Sequence, residues 1–318
     1  MAMLGTWLMK VVSYYNVVPT KNKNQEKTDI LEKFIKGVKA VGDEGEVYHG
    51  YGIQSCDVAM IQGWQHQRGK GGPHLRLRQN VIDYQIQNKK IVCTADSNLF
   101  LYANKVNRPH HYLRYSFNGV FPSVGNYFDD NPDPTRWQQI SRDLNIRLGN
   151  TKSNGSDIVI CLQRNGGWSM GSTDVVDWTR RVVVALRQHT DRSIIIRPHP
   201  GDAKATLTYV PALNKLFQGD PTVRISLNKP LEEDLKNCWA VVNHNSSSIV
   251  GPIIMGYHAY ITDPHKSQCA EVAHFNFEQI ENPQMFNRQK WLERISMFHW
   301  KFSELEDGSA WRHMRQYI

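Results

Sequence analysis

The chain has 318 residues, 40% of them hydrophobic and 21% charged, proportions of an ordinary globular protein that exclude a fibrous or largely disordered chain and set a soft expectation of two domains. Its net charge of +8 is uneven: residues 1–150 hold 19 Lys and Arg against 13 Asp and Glu, residues 151–318 hold 19 against 17. A positive amino-terminal half suits a polyanionic partner, whether nucleic acid, an acidic glycan or a membrane surface, and is equally compatible with a basic enzyme of small metabolites.

Met1–Tyr15 lacks the charged start and small-residue cleavage site of a signal peptide, and no run approaches about 18 apolar residues. The expected location is therefore the cytoplasm, without a membrane partner. Leu8–Tyr15 reads as a first strand, followed by a helix from Gln25 to Val41 with Ile30, Leu31, Phe34, Ile35 and Val38 on one face. Val58–Gln62 is a second strand-like run. It leads into a glycine-rich stretch, Gly63 to Arg78, that carries Trp64, His66, Arg68, Lys70 and Arg76. That stretch reads either as an arm for phosphate contacts, with the indole stacking on a base, or as a solvated loop.

A helix is expected over Leu77–Asn88 and a buried strand over Lys90–Thr94, ending at Asp96. A carboxylate just past a strand end stands where a catalytic base is needed, or it caps the turn Asn98–Tyr102. His110 to Gly119, which includes Arg114, gathers aromatic and hydrogen-bonding groups into a strand-like pocket wall. Adjacent His110 and His111 point to opposite faces of a strand, so they are not a metal pair. The Pro/Asp/Asn-rich run Phe128–Thr135, a helix near Arg136–Leu144 and the polar stretch Gly149–Ser156 mark a domain boundary near residue 150.

The pattern then becomes regular: strand Asp157–Leu162, helix Asp174–Gln188, strand Ser193–Arg197, helix over much of Ala203–Phe217, strand Thr222–Ile225, helix Leu231–Cys238, strand Trp239–Asn243. Strands alternating with helices at these lengths mean βαβ units and a parallel sheet. Ser193–Arg197 is an uninterrupted apolar strand that stops at Pro198-His199-Pro200-Gly201-Asp202, and ligands collect beyond the carboxyl ends of such strands. Two prolines brace His199, which together with Arg197 would face a ligand unless it is simply a surface turn residue. Two further loops fall at strand ends. Gln163 to Gly171 is glycine-rich and carries Arg164; Asn243-His244-Asn245-Ser246-Ser247-Ser248 runs into a helix, where hydroxyls and free N–H groups make an anion site. Arg288–Phe298 and Phe302–Tyr317 close the chain as two amphipathic helices. The five cysteines, Cys56, Cys93, Cys161, Cys238 and Cys269, lie far apart and form neither a disulfide framework nor a zinc site.

A strand ending in His-Pro, followed some 45 residues later by a serine pair opening a helix, resembles the nucleotide half of GT-B glycosyltransferases, above all bacterial polysialyltransferases and capsule Kdo transferases. The resemblance implies an α/β fold of two Rossmann-like domains facing a central cleft: residues 1–150 binding the acceptor, 151–290 binding the nucleotide sugar, and helices in 291–318 crossing back onto the first. It implies that His199 with Pro200, and Ser246 with Ser247 or Ser248, hold the leaving phosphate, aided by Arg164, Arg197 and Asn243. Asp96 would be the base, although its surroundings, Thr94-Ala95-Asp96-Ser97, lack the second acidic residue and the glycine of the family motif.

Tyr112 to Gly119, Leu162 to Met170, Arg197 to Asp202 and Gly308 to Arg312 are also similar to glycosyltransferases encoded by tailed phages. That resemblance implies an acceptor in double-stranded DNA, a hydroxymethylated pyrimidine such as 5-hydroxymethylcytosine, contacted by Trp64, His66, Arg68, Lys70, Arg76 and Arg114 in the host cytoplasm. The expected chemistry is a single displacement by a monomer, with Asp96 as base, His199 meeting the phosphate charge, a CMP- or UDP-linked sugar as co-substrate, and neither metal nor cofactor. Two other readings stay open: transfer to a capsule or lipopolysaccharide glycan, and a non-catalytic phosphosugar- or nucleic-acid-binding protein.

Overall fold

The computed structural model describes residues 7–19, 25–64, 71–102, 112–120, 131–165, 168–202, 205–227 and 230–318. The chain divides into two units: residues 1–99, 106–133 and 294–318 form unit 1, and residues 100–105 and 134–293 form unit 2. Both are α/β with mainly parallel sheets.

Unit 1 contains β1 (Lys10–Tyr14), α1 (Gln25–Val41), β2 (Glu44–Tyr48), β3 (Val58–Gln62), α2 (Pro73–Gln87), β4 (Ile91–Asp96) and β5 (Leu113–Phe117). Its described strands, with the later β11 (His299–Trp300), form a six-stranded sheet in the order β11-β5-β4-β3-β1-β2. β2, β1, β3 and β4 run parallel, while β5 and β11 are antiparallel additions. The order reverses between β1 and β3, which opens a crevice at their carboxyl ends. Val11, Val12, Ala59, Met60, Val92 and Cys93 are all buried, as a strand covered on both faces requires. Helix α2 starts at Pro73, four residues ahead of the sequence expectation, because Gly72 is its N-cap and Pro73 fits its first turn. Arg76 is consequently an exposed helical residue, not part of a loop.

Unit 2 contains α3 (Pro134–Leu144), β6 (Asp157–Cys161), α4 (Val175–Arg187), β7 (Ser193–Arg197), α5 (Ala205–Thr208), α6 (Val210–Phe217), β8 (Val223–Ile225), α7 (Leu231–Asp234), β9 (Cys238–Asn243), α8 (Val250–Met255) and β10 (His258–Ile261). All five described strands are parallel, in the order β10-β9-β6-β7-β8, and the order reverses between β6 and β9. Ile194, Ile195 and Ile196 are buried on both faces of β7, and α4 covers one face with Val175, Trp178, Val182, Val183 and Leu186. Each such side chain contributes about 1.5–3 kcal/mol by leaving water. The helix expected over 203–217 is two helices, because Pro211 in the first turn of α6 cannot continue α5.

The carboxyl end adds α9 (Arg288–Ser296), β11 (His299–Trp300), α10 (Phe302–Glu306) and α11 (Ser309–Met314). The long last helix expected over 302–317 breaks at Gly308, whose φ of +84° leaves the right-handed region. α10 and α11 pack against α1: Lys36 Nζ donates to Glu306 at 2.8 Å, and Trp311 Nε1 donates to buried Asp43 at 2.7 Å. Helix α10 lies so near α1 that a methyl group at Gly37 would stand 1.9 Å from the Leu305 carbonyl oxygen. Gly37→Ala is expected to lower unit 1 stability by about 1–3 kcal/mol, the cost of overpacking, and urea denaturation checks it.

Candidate functional site

The polar residues of unit 2 gather at one edge of its sheet. β6 pairs in parallel with both β7 and β9, so the loops after these strands emerge together, with the β7 and β9 ends about 10 Å apart at ordinary strand spacing. His199 and Ser246–Ser248 therefore share the carboxyl-terminal edge, on either side of the loop that carries Arg164.

At the switch point Gln163 and Asn245 clasp the two loops. Gln163 Nε2 donates to Asn245 Oδ1 at 2.9 Å, and Asn245 N donates to Gln163 Oε1 at 3.0 Å. Gln163 Nε2 also reaches Ser169 Oγ at 2.7 Å, while Asn245 Nδ2 donates to the Ser169 carbonyl and to Asp263 Oδ2, each at 3.0 Å. Both amides are buried, so these bonds hold the loops after β6, β9 and β10 in one geometry. Beside them Trp178 Nε1 donates to Thr262 Oγ1 at 2.9 Å, leaving that hydroxyl to donate to His244 Nδ1 at 2.7 Å. Trp178, Arg181, His244, Thr262 and Phe277 line an open cavity of about 330 Å³.

His199 follows β7 in a tight turn in which its Nδ1 accepts the Gly201 N–H at 3.0 Å and its carbonyl accepts the Asp202 N–H at 3.0 Å. Burial, then repulsion from Arg164, holds the imidazole below its ordinary value against the pull of Asp202. The ring is thus neutral near pH 7 with its proton on Nε2, and Nε2 has no partner among the described residues. A methyl group at Gly201 would stand 2.6 Å from Arg164 Nη2 and 3.1 Å from His199 Cε1, so the exposed Arg164 and His199 close on the same glycine. Ser246 caps the turn Ser247–Ile249, its Oγ accepting the Ser248 N–H at 3.2 Å, and that turn leads into α8. Asn243 Nδ2 donates to the Ser246 carbonyl at 2.8 Å, and its buried Oδ1 has no partner among the described residues. This edge can accept an anion: it offers a neutral N–H donor, a guanidinium, hydroxyls and a helix start.

Arg197 departs from expectation. It is buried, and its Nη1 donates at 2.7 Å to Asp234 Oδ2, a carboxylate with no exposure that also accepts from Ser226 Oγ at 2.7 Å. Its charge is met inside the protein and is not directed at a ligand. Pro200 is exposed.

In unit 1, Asp96 ends β4 with its Oδ1 accepting the Ser97 N–H at 2.7 Å and its Oδ2 accepting Arg114 Nη2 at 2.8 Å. The chain just beyond is pinned by His299, whose Nε2 accepts the Leu99 N–H at 3.2 Å while Nδ1–H donates to the Ile295 carbonyl at 2.7 Å. Arg114 is a correction: with a side chain only 7% exposed, it is paired across β4 and β5 and is not a surface contact for DNA. Trp64 is partly buried, and its carbonyl accepts from Arg78, the last cation of the expected phosphate-contact stretch, which is thereby turned to the protein backbone. His66, Arg68, Lys70, His110 and His111 lie outside the described residues.

Among the described residues no group of three or more His, Cys, Asp or Glu could hold a metal ion, and no helix is long and apolar enough to cross a membrane. All five cysteines are buried and none is in a disulfide, and burial pushes the Cys161 thiol up to about 12.

Burial also holds His244, His258 and His274 of unit 2 below their ordinary value, as it does His199. When pH falls below about 6.5 the unfolded chain takes up protons at these positions before the folded chain does. The neutral histidines therefore give full stability above that pH and lose it progressively toward the lower folded values. The melting temperature of unit 2 should fall between pH 7.5 and 5, more steeply than in a chain with His244 and His258 replaced by glutamine; a flat profile would contradict this.

No protein-family model matches the chain, and no curated protein matches it in sequence. Among solved structures it is similar to the KpsC β-Kdo 2,4 transferase of Thermosulfurimonas dismutans, with a TM-score of 0.53 and 12% identity over 92% of this chain and 91% of that one. The KpsC β-Kdo 2,7 transferase of the same organism matches at a TM-score of 0.49 and 12% identity, over 95% of this chain and 99% of that one. The UDP-GlcNAc 2-epimerase of Methanocaldococcus jannaschii matches at 0.31 and 9% identity, over 97% and 99%. The first of these shows a shared fold, the paired Rossmann-like α/β architecture expected from the sequence.

Proposed function

We propose that the protein is a nucleotide-sugar-dependent glycosyltransferase whose acceptor is a glycan. The observation that carries this reading is the carboxyl-terminal edge of unit 2, where the neutral His199, Arg164 and the Ser246–Ser248 turn flank the switch point. The fold shared with a protein described as a Kdo transferase supports it.

In the reaction an acceptor hydroxyl attacks the anomeric carbon. A new C–O bond forms, the bond from that carbon to the phosphate oxygen breaks, and its electron pair leaves on the nucleotide. His199 Nε2–H and the Arg164 guanidinium meet the charge that grows on the departing oxygen, as preorganised donors need no reorganisation at that moment. The acceptor proton goes to Asp96. Each of its carboxylate oxygens already accepts one bond and keeps a lone pair, and such general-base catalysis is worth about 10²–10⁴-fold.

A second reading, transfer to hydroxymethylated pyrimidines in DNA, is favoured by the basic amino-terminal half, with 19 Lys and Arg against 13 Asp and Glu. It is weakened by Arg114, which is turned inward. The test is mass spectrometry of products after incubation with CMP- and UDP-linked sugars and either a short glycan or hydroxymethylated duplex DNA. A gain of one sugar on the glycan is expected. A gain on the nucleoside would replace this acceptor with DNA, and no nucleotide release from any donor would overturn the transferase reading.

A further inference from the structure

The polar centre of unit 1 is incompletely satisfied. Arg114 spends one nitrogen on Asp96, and its buried Nε and Nη1 have no hydrogen-bond partner among the described residues. Leaving a buried guanidinium donor unpaired carries the full desolvation cost of that group, so a pairing role across β4 and β5 accounts for only part of this residue. Arg78 lies nearby. Its Nη1 donates to the Trp64 carbonyl at 3.0 Å and its Nη2 to the Val17 carbonyl at 2.9 Å, which bridges the loops after β3 and β1 at the switch point of unit 1. Gly63, at φ +76°, leaves room for it, since a methyl group there would stand 3.1 Å from Arg78 Nη1. The Nε of Arg78 is also buried, with no partner among the described residues. Burial pushes the Arg78 guanidinium down to about 10 while Asp96 draws it back up, and Gly63, which lies against Arg78, donates its N–H at 2.8 Å to the carbonyl of Ala95, the residue before Asp96, so Arg78 and Arg114 lie near the same carboxylate.

We infer that Arg78 and Arg114 form a binding site, at the carboxyl-terminal edge of unit 1 beside Asp96, for a compact terminal anion: a carboxylate or phosphomonoester. Naming that anion as part of the acceptor rests on the transferase reading; the site itself does not. A terminal group is favoured over a chain-internal phosphodiester by access. Asp96 is 28% exposed and Arg114 only 7%, so a ligand must pass the carboxylate to reach the free donors, which a slender end can do and a duplex backbone cannot. An acceptor held by this anion would present its hydroxyl next to the proposed base.

Inorganic phosphate is the probe, titrated calorimetrically into the full chain. The His199→Ala/Arg164→Ala double variant removes the two donor-side groups proposed to meet an anion. In that background phosphate should still bind saturably, and adding Arg78→Gln or Arg114→Gln should weaken it at least tenfold. Circular dichroism checks that each chain is folded, and Arg78→Gln serves if Arg114→Gln does not fold. Unchanged affinity in the Arg78 variant, or loss of all binding in the double variant alone, would overturn the site. Displacement of phosphate by a short DNA duplex, dependent on Arg114, would overturn the terminal-group assignment. None of these readouts needs turnover, so a failed site and a failed transferase reading are told apart.

Discussion

Replacing His199 with alanine is expected to slow sugar transfer by about 10²–10³-fold, the loss found when one preorganised donor to a developing oxyanion is removed. Its Nδ1 is committed to the Gly201 N–H, so only Nε2–H remains for a ligand. The loss should fall mainly on kcat, because the charge it meets is larger in the transition state than in the bound donor. His199→Gln, which can place an amide N–H near the same point, should recover part of the rate. A rate within threefold of the parent for His199→Ala would remove this histidine from the mechanism.

Asp234→Ala is expected to destabilise unit 2 by about 3–5 kcal/mol, because it strands the Arg197 guanidinium without its partner. The carboxylate is fully buried and the arginine side chain 7% exposed, so water cannot take over the pairing. For a unit of this size that corresponds to a fall of about 10 °C in its melting temperature, measurable by calorimetry. Arg197 immediately precedes Pro198 and His199, so any shift of the stranded side chain also moves the turn proposed to meet the leaving phosphate. The double replacement Arg197→Met/Asp234→Leu should recover much of the stability, since removing both charges removes the desolvation problem. Failure of the single variant to lower the transition would show that the pair is solvated.

Local signals were well represented in the chain. The Ile194-Ile195-Ile196 run followed by Pro198-His199-Pro200 marks a buried parallel strand and where it stops, as observed. Apolar spacing likewise places α1 from Gln25 to Val41, as observed. What could not be read was pairing between distant residues. Gln163 and Asn245 are 82 positions apart, and Arg197 and Asp234 are 37 apart, so neither the clasp nor the buried ion pair leaves a local pattern. Arg197 and Arg114 looked like free cations because composition records charge, not its partner. Arg78 read as one cation of a loop because the helix that carries it starts at Pro73, four residues earlier than the apolar pattern indicated. Strand β11 is two residues long, too short for any periodicity.

The proposal depends on a nucleotide phosphate binding at the carboxyl-terminal edge of unit 2. Isothermal titration of CMP and UDP into the parent chain and into His199→Ala measures this directly. Saturable binding of at least one nucleotide to the parent, weakened at least tenfold by the substitution, is the predicted result. No binding of either nucleotide, or equal affinity in the two chains, would contradict it.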